Sequence, residues 1–150
     1  MTEPTHALTE TDLGAMRQSE LDALYRRLPE PGPVPVGDTL GLALLFPGWP
    51  LGHFVRALAR ILLWQGKVFD PQAGDLKNKV SPFGFRAIRA LVYRGPSWLD
   101  TGAAATVLDY SETSWVARWI RDEIREVRPG MWLGKVFIRK WHVLDFSLTE

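Results

Sequence analysis

The densest group of ionisable side chains in this 150-residue chain is Arg121-Asp122-Glu123-Ile124-Arg125. On a strand, successive side chains point to opposite faces. Arg121, Glu123 and Arg125 then face one way, and Asp122 and Ile124 the other. Asp122 would point inward among apolar residues, where desolvation raises a carboxyl pKa and makes a general acid or base near neutral pH. On a helix, Arg121 and Arg125 fall one turn apart on a solvated surface, and the cluster reads as surface charge or salt bridges. A second carboxylate, Asp109, ends the apolar run 103–108 and precedes Tyr110. Asp109 is suited to cap a turn through its side chain; at the rim of a pocket, Asp109 and Tyr110 would instead offer a proton acceptor and a donor. Asp122, Asp109, Tyr110 and Arg125 are the candidate catalytic residues.

Other chemistries are excluded by what the chain lacks. It has no cysteine, which removes disulfides, thiolate metal sites and cysteine nucleophiles. Its three histidines, His6, His53 and His142, form no H-E-x-x-H or similar pattern, so no metal site is expected; His142, between Trp141 and Val143, reads as structural. Neither a phosphate-binding glycine motif nor a G-x-S-x-G elbow occurs. A formal net charge of +1 argues against nucleic acid as partner. No secretory signal and no run long enough to span a bilayer is read, so a cytoplasmic location is expected by default.

The elements that must position these residues follow from periodicity. Residues 1–8 read as a flexible end of a single domain, 9–63 as a helical and connecting part, and 64–150 as a β-rich part. A helix starts at Thr9 or Thr11, with Leu13, Met16, Leu21, Leu24, Tyr25 and Leu28 on one face, and stops at the proline-rich run 29–35. Residues 39–46 read as a short buried strand, and 51–63 as a second amphipathic helix. Runs rich in Val, Ile, Phe, Trp and Tyr, separated by Gly, Pro and Asp, place strands near 64–70, 76–80, 84–94, 104–110, 120–128, 131–139 and 141–149. Segment 111–128 fits helix or strand in part. Charge is uneven: residues 1–50 carry 3 − 7 = −4, residues 51–100 carry 8 − 3 = +5, and residues 101–150 balance at seven each. The expected class is α+β: an antiparallel β-barrel or strongly curved sheet with two N-terminal helices.

Seventeen aromatic residues, seven of them Trp, suit an apolar interior. Trp64-Gln65-Gly66-Lys67-Val68-Phe69 recurs as Trp132-Leu133-Gly134-Lys135-Val136-Phe137, five of six residues matching at a spacing of 132 − 64 = 68. A strand glycine leaves room for a close neighbour. Either each Trp covers its own Gly, or Gly66 and Gly134 leave space for a ligand toward which a Lys points. The expected ligand-binding residues are Trp64, Gly66, Lys67, Phe69, Asn78, Tyr93, Trp98, Trp115, Trp119, Arg121, Trp132 and Gly134. Trp115 and Trp119 would lie one helical turn apart, as a lid or a contact surface.

The segment Trp64-x-Gly66-Lys67-x-Phe69, followed by Asn78 and by Ala90-Leu91-Val92-Tyr93, resembles small bacterial domains of the GXWXG type, although Leu62 stands at the first glycine position. The resemblance spans roughly residues 60–100 and implies a compact β-rich domain. More loosely, the layout is similar to lipocalin-like barrels, which implies an apolar small molecule bound in the interior. The leading expectation is such a binding protein, its ligand lipid-, terpenoid- or polyketide-like. An alternative is an isomerase, cyclase or lyase without metal or cofactor, acting by positioning and carboxylate/Tyr acid–base chemistry; another is an interaction domain without a pocket. A homodimer is left open.

Overall fold

The Thr9 hydroxyl accepts the Asp12 amide, and the Asp12 carboxylate accepts the Thr9 amide, forming a reciprocal cap at the start of α1 (Glu10–Ala15). The computed structural model describes residues 7–32, 34–44, 67–70, 72, 74–80, 85–113, 115 and 117–150. The single helix expected from Thr9 to Leu28 is two: the backbone is extended at Met16 and Arg17, and α2 (Gln18–Arg27) begins afresh with Glu20 accepting the Arg17 amide. Leu28 ends α2 in an extended conformation before Pro29. The second helix expected over 51–63, together with Trp64 and Gly66, lies outside the described residues.

Among the described residues nine strands follow: β1 (Gly37–Asp38), β2 (Leu40–Leu44), β3 (Lys67–Asp70), β4 (Asp75–Val80), β5 (Phe85–Pro96), β6 (Ala104–Asp109), β7 (Ile120–Arg128), β8 (Met131–Ile138) and β9 (Trp141–Thr149). They form one antiparallel sheet in the order β1-β3-β4-β5-β6-β7-β8-β9-β2. The ambiguous 120–128 segment is therefore strand, and the described residues of 111–119 are in turns rather than a helix. β1 and β2 occupy opposite ends of this order, yet only Thr39 separates them in the chain. The 37–44 segment thus pairs with β3 at its start and with β9 at its end. Thr39 binds both backbone polar atoms of Lys67 through its own amide and hydroxyl. The sheet is strongly curved, and register shifts in the β4–β5, β7–β8 and β8–β9 pairs supply the local bends that curvature needs.

Both faces of the sheet are buried along β7, β8 and β9, for different reasons. The concave face carries a core of Phe69, Leu108, Tyr110, Ile124, Trp132, Val136, Leu144 and Phe146. The convex face is covered by α1 and α2, whose Leu13, Leu21, Leu24 and Tyr25 pack on Leu44, Met131 and Leu133. This accounts for β8 and β9, which read as largely apolar runs instead of clean alternation. No helix among the described residues is long and apolar enough to cross a membrane.

Candidate functional site

Period-two alternation on β7 sends Asp122 and Ile124 to the concave face. Across neighbouring strands, Asp122 lies in a row with Val92, Leu108, Val136 and Leu144, so a carboxylate stands in the middle of an apolar row. Its partners come from elsewhere. Lys67, at the start of β3, reaches across the curved sheet and donates from Nζ to Asp122 Oδ2 at 3.1 Å and to the Tyr110 hydroxyl at 2.7 Å. Tyr110 donates in turn to Asp122 Oδ2 at 3.0 Å. All three side chains are buried. The second carboxylate oxygen, Asp122 Oδ1, is also buried and has no hydrogen-bond partner among the described residues. An orphaned buried acceptor costs about 1–3 kcal/mol, and more when charged.

Electrostatics at the cluster follow from dehydration. Burial pushes the Asp122 carboxyl above the usual carboxylate range, against the pull of Lys67 and Tyr110. Burial draws the Lys67 ammonium below its ordinary value, against the attraction of Asp122. The acid holds its proton more tightly and the amine less tightly than in water, which brings their proton affinities together across one hydrogen bond. The cluster can therefore accept a donor at Asp122 Oδ1 and can relay a proton among three adjacent polar groups.

Gly134 acts on this cluster indirectly. It pairs across the strands with Phe146, and a Cβ built at Gly134 would lie 2.2 Å from the Phe146 ring. The bare backbone lets the ring lie flat on β8, and the Lys67 ammonium sits 5.3 Å from that ring's centroid, within cation–π range. The space expected to admit a ligand at Gly134 is thus filled by Phe146, and it is Phe146 rather than Trp132 that covers the glycine. The two matching hexapeptides also present opposite faces. Lys67 and Phe69 enter the concave core, whereas in the second copy Trp132, Gly134 and Val136 do so and Lys135 faces the helices.

The convex face holds two polar networks that anchor structure. Glu123 accepts from Ser97 Oγ, the Trp98 amide and Arg121 Nη1, and so fixes the β5–β6 connection. Arg121 also donates to the Pro96 carbonyl and stacks on Trp98 at 4.2 Å. Arg125 donates to Ala104 O, Tyr25 O and Asp100, tying β6, the end of α2 and the β5–β6 connection together. Arg121 and Arg125 are therefore held away from Asp122, on the other face of the strand. In the second network Lys135 Nζ lies 2.7 Å from both Asp22 and Asp145, and His142 Nε2 lies 2.6 Å from Asp145. Burial opposes ionisation of Asp22, but the hydrogen bond and charge of Lys135, helped by Gln18, hold its carboxyl below the usual range.

Asp22, His142 and Asp145 place three ligand-type atoms within 4.8 Å of one another, the one such group among the described residues. The Lys135 ammonium already supplies the positive charge between the two carboxylates, so this set does not fit a cation while Lys135 stays in place.

Asp109 and Tyr110, expected to act as a pair, part company at the end of β6. Tyr110 turns into the core; Asp109 accepts from the exposed Tyr93 hydroxyl at 2.8 Å and from the Ser111 amide at 2.9 Å. Burial works against the Asp109 charge, but these bonds hold its carboxyl below the usual range. Asp109 is thus a turn-capping carboxylate, and Tyr93 is its partner. Phe69 and Trp132 belong to the concave core, and Asn78 stands on β4 in register with Lys67. Trp98, on the convex side, packs edge-on against Phe137. Trp115 and Trp119 are exposed in the β6–β7 connection. A recess of about 150 Å³ between Val34-Pro35 and Phe69, Gly74 and Val92 is about half the roughly 300 Å³ at which small-molecule pockets begin.

A solved structure shares this fold. The crystal structure of a protein from Thermomonospora curvata superposes with a TM-score of 0.65 at 21% identity, over 90% of this chain and 88% of that one. At that identity the likeness carries the architecture alone. No family model and no curated protein matches the chain.

Of the residues singled out from the sequence, the structure brings together Lys67, Tyr110 and Asp122. Phe146 was missed as a site component, and its signal was available: a strand glycine calls for a large cross-strand neighbour, and β9 offers one at the matching register.

Proposed function

We propose that the protein binds an apolar small molecule carrying a hydrogen-bond donor, such as a hydroxyl, inside a lipocalin-like barrel formed by closure of its sheet at Thr39. The supporting observation is Asp122 Oδ1, a buried acceptor without a partner beside Lys67 and Tyr110. Gln18 Oε1 and Tyr25 Oη are buried without a partner as well, but among the described residues Asp122 Oδ1 is the one such atom on a carboxylate, and it stands in a row of Val and Leu. A ligand hydroxyl at Oδ1 satisfies it, and the apolar remainder of the ligand meets apolar walls. The ligand class is lipid-, terpenoid- or polyketide-like.

The test is a titration of intrinsic Trp fluorescence with a long-chain alcohol and with the alkane of equal length. The alcohol is expected to bind about 10–100-fold more tightly, the worth of one hydrogen bond to a charged group. Asp122→Leu removes that preference. Equal affinity for both probes, or a preference that survives Asp122→Leu, contradicts the reading.

The convergent proton affinities of Asp122 and Lys67 favour a second reading on the same site: an isomerase, cyclase or lyase with Asp122 as the proton-transfer group. It separates from simple binding by Asp122→Asn, which keeps a polar group at the head of the ligand and removes turnover only if the site is catalytic.

A further inference from the structure

Three indoles that the interior does not use stand at one end of the sheet. Trp115 is 82% exposed, Trp141 77% and Trp119 46%. Trp115 and Trp119 lie in the β6–β7 connection, and Trp141 begins β9 after the two-residue turn Arg139-Lys140. Both segments are at the same end, because Ile120 pairs with Ile138 and Ile138 with Trp141. The Arg139 amide donates to the Trp119 carbonyl at 3.0 Å, which joins the two segments. The Arg118 guanidinium lies 4.2 Å from the centre of the Trp119 ring and 5.7 Å from that of Trp115; Arg139 lies 4.3 Å from Trp119. Arg139 and Lys140 both have positive φ, the primed turn that matches strand twist and projects both cations at the tip. Residues 111–119 and 138–142 contain Arg118, Arg139 and Lys140 against the single carboxylate of Glu112.

We propose that this end of the molecule docks on an anionic lipid bilayer, with the indoles at the headgroup level and Arg118, Arg139 and Lys140 facing lipid phosphates. Trp partitions to the membrane–water boundary, and basic side chains beside an anionic leaflet add about 1 kcal/mol each, or roughly fivefold in partitioning. The other candidates fit less well. A symmetric contact with a second copy sets the same three cations against themselves. Stacking of single-stranded bases would have to displace the guanidiniums that already lie over Trp119. The surface goes beyond ligand binding and does not depend on it, although the docking end is also the one nearest the buried cluster, since Asp122 is two residues from Ile120 and Tyr110 directly follows β6.

The experiment is co-sedimentation of the full chain with vesicles of phosphatidylcholine alone and of phosphatidylcholine mixed with phosphatidylglycerol. Binding to the mixed vesicles is expected, with a blue shift of Trp emission and weakening by salt. Trp115→Ala/Trp141→Ala and, separately, Arg118→Glu are expected to reduce partitioning about tenfold or more, with thermal unfolding unchanged because these side chains are exposed. The inference is overturned if the mixed vesicles bind no better than phosphatidylcholine alone, or if both variants partition like the parent. It is overturned equally if vesicles do not bind while a single-stranded oligonucleotide is retarded or the chain self-associates through these Trp residues.

Discussion

Replacing the buried ion pair outright, with Lys67→Met and Asp122→Leu together, is expected to give a protein at least as stable as the parent, with a gain of up to about 4 kcal/mol. Either substitution alone is expected to cost about 3–5 kcal/mol, because it leaves one desolvated group without its counter-charge. The asymmetry follows from the geometry. Nζ and Oδ2 are 3.1 Å apart in a core of Leu, Val and Phe, and Oδ1 has no hydrogen-bond partner among the described residues. Mutual attraction therefore offsets only part of the dehydration of the two groups, whereas two apolar side chains of similar size carry no charge to dehydrate and forfeit only the bonds of the Tyr110 hydroxyl to the pair. Urea unfolding of the parent, both single variants and the double variant closes the cycle. The pH dependence has a definite sign. With its pKa raised, Asp122 contributes stability that is present below the ordinary carboxylate range and lost as pH rises through the raised value. With its pKa lowered, Lys67 contributes stability that is present above the ordinary ammonium range and lost as pH falls through the lowered value. The stability gap in favour of the double variant is thus widest around neutral pH and narrows toward acid and alkali.

Arg125→Met is expected to destabilise the protein by about 3–5 kcal/mol for a different reason. The guanidinium is buried, covers the Tyr25 ring at 4.8 Å, and satisfies the Tyr25 carbonyl at the end of α2, the Ala104 carbonyl and the Asp100 carboxylate. Methionine fills much of the volume but takes this donor from the Ala104 carbonyl and the half-buried Asp100 carboxylate, and leaves the Tyr25 carbonyl with the Leu28 amide alone. Because the loss falls on the attachment of α2 and of the 97–103 connection, hydrogen exchange is expected to rise first there, with the concave core protected until global unfolding. Loss of protection at β7 before α2 would contradict this role for Arg125.

Much of the sheet was legible because it is written locally. β6, β8 and β9 run largely apolar between unambiguous turn residues such as Pro129-Gly130, and their expected bounds agree with the structure to within a residue or so; β7 has the expected bounds, but its charged sequence fitted a helix as well. The helix break at Met16-Arg17 was not legible, since neither residue forbids a helix and the break is made by the Glu20 carboxylate reaching back to the Arg17 amide. The meeting of the sheet's two ends at Thr39 was hidden as well, because it rests on pairings with Lys67 and Phe69 on one side and with residues 145–149 on the other. The inward turn of Asp122 follows from strand periodicity once β7 is accepted. Its partner does not: Lys67 is 55 residues away, and the similar hexapeptide around Lys135 faces the opposite side. His142 read as a lone residue because i and i+3 on a regular strand lie on opposite faces. The register shift after Val136 leaves Val143 as an extra residue on β9, which turns His142 onto the face of Asp145.

We propose that the Lys67–Tyr110–Asp122 cluster holds a small molecule and not the fold. Native mass spectrometry of the freshly purified parent and of the Lys67→Met/Asp122→Leu variant tests it most directly. The account predicts an apolar small molecule retained by the parent and absent from a variant that is fully folded. A parent that carries nothing and binds neither alcohol nor alkane, or a variant that retains the same molecule, would contradict it.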